Sequence, residues 1–84
     1  MIKNAFPEYD TATLPLIPAT WEDISWRNDV CPSLQSNGYQ IFVNFENPDD
    51  REYSGGERFL VSDITTNEVY LMTDDWNEVL TFVD

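Results

Sequence analysis

Arg58-Phe-Leu-Val-Ser-Asp-Ile64, Thr65-Thr66-Asn67, Glu68-Val-Tyr-Leu-Met72 and then Asp74-Asp75-Trp76-Asn-Glu-Val-Leu-Thr-Phe-Val83 is the run that decides the fold class. Two short segments rich in β-branched and aromatic residues flank a polar tripeptide, and a helical period follows. With Thr65-Thr66-Asn67 as a three-residue hairpin loop, Asn67 takes the left-handed position that Asn tolerates. Counting back pairs Ile64 with Glu68, Ser62 with Tyr70, Val61 with Leu71 and Leu60 with Met72. Phe59, Val61, Val69 and Leu71 then share one face. Beyond the second strand, Trp76, Val79, Leu80 and Val83 recur at i, i+3, i+4 and i+7, as on the buried stripe of a helix. Asp75 is its expected N-cap, with Glu78 three residues on. So short a helix forms only when packed.

Upstream, Tyr39, Ile41, Val43 and Phe45 alternate with Gln40, Phe42 and Asn44, the pattern of a half-buried strand. Asn37-Gly38 before it is a turn signal. The expectation is α+β: a three-stranded antiparallel β-meander with a short C-terminal helix packed on its odd-numbered face. The even face, with Phe42, Leu60, Tyr70 and Met72, is too apolar to be left to solvent. Residues 1–20 carry Pro7, Pro15 and Pro18, which favour extended backbone over helix, together with Phe6, Tyr9, Leu14, Leu16 and Ile17. They read as an extended N-terminal arm that covers the even face. Residues 20–34 read as irregular with one short element, and Trp21 and Trp26 are expected in the core. At 84 residues the chain is one domain, with the arm at 1–20 and the globular part at 21–84.

The net charge is −12, from sixteen Asp and Glu against four Lys and Arg, with no His. Phosphate backbones require cations, so direct nucleic-acid binding is excluded, and anionic membranes are disfavoured for the same reason. A basic protein surface is the matching partner. Self-repulsion also favours a monomer over a dimer. Without His the commonest general base at neutral pH is missing, and the single cysteine, Cys31, reads as a small buried hydrophobe. The chain is therefore expected not to be an enzyme and to need no cofactor. A lone cysteine forms no internal disulfide, and Met1-Ile-Lys-Asn-Ala-Phe-Pro-Glu8 has no apolar signal-peptide core. Both point to the cytoplasm.

The long acidic loop at 46–57 surrounds a Gly-Gly pair. Its carboxylates do not follow the Asp-x-Asp-x-Asp-Gly spacing of a calcium loop, so a solvated acidic loop is expected rather than a metal site. Acids alternating along extended chain lie about 7 Å apart, close to the spacing of consecutive phosphates. Rows of them can occupy a groove built for a nucleic-acid backbone. The candidate partner-binding residues are Glu46, Asp49, Asp50, Glu52 and Glu57 in the loop, with Asp74, Asp75 and Glu78 at the start of the helix. Glu22, Asp23 and Asp29 are possible additions. Asp74 and Asp75 also suit helix capping.

In size, acidity and lack of a catalytic set, the chain resembles the small acidic inhibitors of phages and mobile elements, the anti-CRISPR proteins and other DNA mimics. That resemblance implies an inhibitor acting in the host cell on a CRISPR effector or another nucleic-acid-handling complex. It carries over no binding residue, because those proteins share no fold. The competing expectation is a small structural or interaction domain that self-associates, or docks a partner, through the apolar even face.

Overall fold

A computed structural model describes residues 2–51 and 56–84. Five antiparallel strands follow one another in chain order across a single sheet: β1 (Glu22–Asp23), β2 (Ser33–Ser36), β3 (Tyr39–Val43), β4 (Phe59–Asp63) and β5 (Val69–Thr73). A four-residue helix, α1 (Ile2–Ala5), opens the chain and an eight-residue helix, α2 (Trp76–Val83), closes it. The α+β class and the terminal helix are as expected. The sheet has five strands rather than three.

The two additional strands come from the stretch read as irregular. β2 is Ser-Leu-Gln-Ser, with no β-branched or aromatic residue to mark it. It forms because Asn37 and Gly38 both have positive φ, 53° and 83°, the type I′ geometry that folds a strand directly back on its neighbour. Leu34 then lies opposite Ile41, and Ser33 opposite Phe42. β1 is held at the far edge by Asp23 opposite Leu34, by a Gln35–Glu22 side-chain hydrogen bond and by the Ser25 hydroxyl, which accepts from the Ser33 amide at 3.1 Å.

The β4–β5 hairpin differs from expectation by one residue at each of two places. Asp63, not Ile64, lies opposite Glu68: the Asp63 amide donates to the Glu68 carbonyl (2.8 Å) and the Asn67 amide to the Asp63 carbonyl (2.9 Å). The loop is thus Ile64 to Asn67, four residues. The Asp63 carboxylate accepts from the Thr65 and Thr66 amides, 2.8 and 3.0 Å, and Asn67 is left-handed at φ 64° as expected. A bulge then intervenes: Ser62 lies opposite Val69, yet Val61 lies opposite Leu71 and Leu60 opposite Met72. The bulge at Tyr70 absorbs the extra loop residue, so the inner register matches the expected one. Its consequence is an exchange of faces. Val69, expected inside, lies on the even face. Tyr70, expected on the even face, turns to the helix side, with its ring 5.9 Å from Tyr39 and 6.2 Å from Phe82.

The core lies between the odd face and α2: Leu34, Ile41, Val43, Phe59, Val61, Val79 and Val83 are buried together. Eight helical residues span about 12 Å, while five strands span about 19 Å. The N-terminal arm fills the difference, and this corrects its expected placement. Leu14, Ile17 and Trp21 pack against the helix-side core, and Ile2, Phe6 and Tyr9 form a buried satellite with Phe45. The Trp76 indole donates to the Leu16 carbonyl (3.1 Å), while Trp21 and Trp76 meet edge-on at 5.6 Å. α1 is a further correction, because a single turn closes ahead of Pro7 where extended chain was expected. It orients Ile2 and Phe6 inward, and the Ile2 amide donates to the Asp23 carboxylate (2.8 Å). Trp26, expected in the core, is 58% exposed.

Candidate partner-binding surface

At one end of the sheet β2 and β4 begin and β3 and β5 finish, with Val43, Phe59 and Thr73 aligned across it. Every segment leaving that end carries acids. The loop after β3 supplies Glu46, Asp49 and Asp50, and its return to β4 supplies Glu57. The start of α2 supplies Asp74, Asp75 and Glu78. All seven of these side chains are exposed. Glu52 lies outside the described residues. The meander therefore brings the loop acids and the helix-start acids to the same end, although the two groups are well separated in sequence.

Local structure orders this end. Asn47 caps a 3-10 turn at Pro48–Asp50 by accepting from the Asp49 amide (3.0 Å), which fixes Asp49 and Asp50 at the turn's first positions. The Asp74 carboxylate accepts from the Arg58 amide at 2.8 Å, which sets it beside Glu57. Asp75 is the N-cap of α2, accepting from the Asn77 amide at 3.0 Å. Asp74 and Asp75 each leave one carboxylate oxygen outside these bonds, so capping does not remove them from the surface. Among the described residues no three acidic or cysteine side chains converge as a metal-binding group. The carboxylates are spread over a surface.

Two of the four cations in the chain lie at this end and donate to oxygens other than carboxylates. Arg51 donates to three backbone carbonyls, those of Phe45 (2.7 Å), Gly56 (2.7 Å) and Glu46 (3.0 Å), and so clamps the two limbs of the acidic loop. Arg58 donates to the Asn44 carbonyl (3.0 Å), the Thr13 carbonyl (2.9 Å) and the Tyr9 hydroxyl (2.9 Å), with its guanidinium 5.3 Å above the Phe59 ring. None of these guanidinium bonds ends on a carboxylate, and the exposed acids at this end outnumber the two arginines.

The other acids are divided. Asp29 joins the same end, since residues 29–32 lead into β2. With Glu8, Asp50, Arg27 and Arg51 it lines a polar cleft of about 490 Å³. Glu8 was not singled out from the sequence, because nothing around Pro7 says that the arm folds back to this end. The tether is the buried Tyr9, whose hydroxyl donates to the Asn44 carbonyl at 2.9 Å. Glu22 sits on the β1 edge bonded to Gln35. Asp23 is structural: burial pushes its carboxyl up, but the bonds from Ser25 and from the Ile2 amide outweigh that and hold it below the ordinary value. Cys31 is 2% exposed, and burial, aided by Asp29, pushes its thiol up to about 12, so at neutral pH it is an inert packing group.

The even face is not covered by the arm. Phe42, Leu60 and Met72 stand opposite one another on three adjacent strands. Together with Val30, Cys31, Asn44, Gly56, Glu57 and Arg58 they line a mainly apolar cavity of about 250 Å³. Met72 is 53% exposed and Val69 50%. No family model matches the chain, and no curated protein or solved structure shows significant similarity to it.

Proposed function

We propose that the protein is an inhibitor that occupies a basic, nucleic-acid-binding surface of another protein or complex, in the manner of anti-CRISPR proteins and other DNA mimics. The observation that carries this reading is the gathering of acids from separate segments at one end of the sheet while Arg51 and Arg58 point their charge at backbone carbonyls. Such a surface attracts a basic groove over a distance set by ionic strength and competes with phosphate for the same cations. The reading requires no bond-breaking step and no cofactor. It places the protein in the cytoplasm of a host cell, acting as a monomer. No helix among the described residues is long and apolar enough to cross a membrane.

The test is a pull-down from bacterial lysate with the immobilised protein, followed by mass spectrometry. Nucleic-acid-binding proteins are expected to be retained at low salt, released at high salt, and lost with the combined variant Glu46→Gln, Asp49→Asn, Asp50→Asn, Glu57→Gln. Retention of no nucleic-acid-binding protein even at low salt overturns the proposal.

The exposed Met72 and Val69 favour a second reading, in which the even face mediates self-association. Light scattering separates the two: a dimer dispersed by Met72→Glu or Leu60→Glu supports the second reading, and a monomer removes it.

A further inference from the structure

The even-face cavity lies beside the acidic end and is built unlike it. Its floor is the cross-strand row Phe42, Leu60 and Met72. Val30, which is 48% exposed, and Cys31 wall one side, and Gly56 to Arg58 wall the other. Arg58 also lines it, with its Nε and Nη2 donated to Asn44, Tyr9 and Thr13. Three carboxylates belong to residues on or next to its lining. Glu57 lines the cavity, Asp29 precedes Val30, and Asp74 is hydrogen-bonded to the Arg58 amide. At about 250 Å³ the cavity falls below the roughly 300–1,000 Å³ of small-molecule sites. An apolar pocket of that size within a charged rim is the form of an interface anchor site, where one buried side chain is surrounded by polar contacts. A second copy of this chain is a poor occupant, because its own acidic rim would face the same carboxylates.

We propose that this cavity receives a large apolar side chain, leucine or bigger, carried on a Lys/Arg-rich segment of the partner protein. The inference rests on the proposed binding of a basic surface and adds what that reading lacks, a salt-insensitive contact that chooses among basic partners. Charge draws in any cationic segment, whereas the cavity rewards only one with an apolar residue between its cations.

Fluorescence anisotropy with two labelled Lys-rich peptides tests this, one with a central Leu and its twin with Ser at that position. The Leu peptide is expected to bind about tenfold more tightly, the effect of burying one such side chain. That ratio should persist as salt weakens both peptides. Met72→Gln and Val30→Gln alter exposed positions, so they leave the fold intact; each is expected to remove most of the ratio without weakening the Ser peptide. Equal, salt-sensitive binding of both peptides overturns the anchor and leaves the acidic reading standing. A Leu preference unchanged in both variants also overturns it, by placing the contact elsewhere. Binding of neither peptide overturns the anchor together with the charge-led reading beneath it.

Discussion

Arg58 joins three parts of the chain through one side chain: the arm through Tyr9 and Thr13, the end of β3 through Asn44, and the core through the Phe59 ring. Removing its guanidinium takes from the part-buried Thr13 carbonyl the donor that it has here. Arg58→Met keeps the aliphatic stem and deletes the donors. It is expected to cost about 2–3 kcal/mol, read as a lower urea midpoint, and Arg58→Lys should recover little of it because an ammonium lacks the fork. The sequence placed Arg58 at the start of a strand and carried no sign of its partners. Carbonyl acceptors belong to every residue, so neither residue type nor period marks which ones an arginine will reach. The same holds for Arg51. The acids were legible individually, and what they do locally was legible only where a rule ties residue type to position, as for Asp75 at the helix cap.

At the scale of elements, turns were the most readable feature and also the source of the largest miss. Asn37-Gly38 is visible as a turn, and its type I′ geometry requires a strand on both sides. The weak β character of Ser33–Ser36 hid the first of them, and with it β1. Gly38 has φ 83° and no atom within 4 Å of where a Cβ would stand, so its requirement is purely conformational. Gly38→Ala is therefore expected to cost about 1–2 kcal/mol from left-handed strain alone, measured by chemical denaturation with the slope unchanged. The β4–β5 hairpin shows the opposite case. Its inner register was legible, because Val61 and Leu71 must share the core face. The loop length and the bulge were not, because they offset one another and leave the hydrophobic pattern between Phe59 and Met72 the same. Only Val69 and Tyr70 reveal the difference, by exchanging faces.

For the molecule as a whole, charge works against the fold at neutral pH. Sixteen acids on 84 residues repel, so added salt at pH 7 is expected to raise the melting temperature by screening them. Acid acts in the other direction through two carboxylates. Asp63 is held below its ordinary value of 3.8 by bonds from the Thr66 and Thr65 amides. Asp23 is held below 3.8 despite the opposing effect of burial, by its bonds from Ser25 and Ile2. A depressed folded value stabilises the fold above the ordinary carboxyl range, and that stabilisation is lost as pH falls through the lower folded values. Thermal melts should show an acid limb beginning below about pH 4, shallower in Asp63→Asn. A limb unchanged by that substitution would place the lability elsewhere.

By itself the sequence determined the class, the terminal helix, the inner register and the excess of negative charge, because these follow from local period and composition. Tertiary structure decided three things that no local rule contains. The arm lies on the helix side because an eight-residue helix is too short to cover a five-stranded sheet. Part of the even face, at Val69 and Met72, is left exposed beside a cavity, because the arm lies on the other side. The acids of distant segments meet because antiparallel connections return alternate strand ends to the same side of the sheet. Each depends on the area one element leaves for another to cover, a quantity that exists only once the elements are packed together.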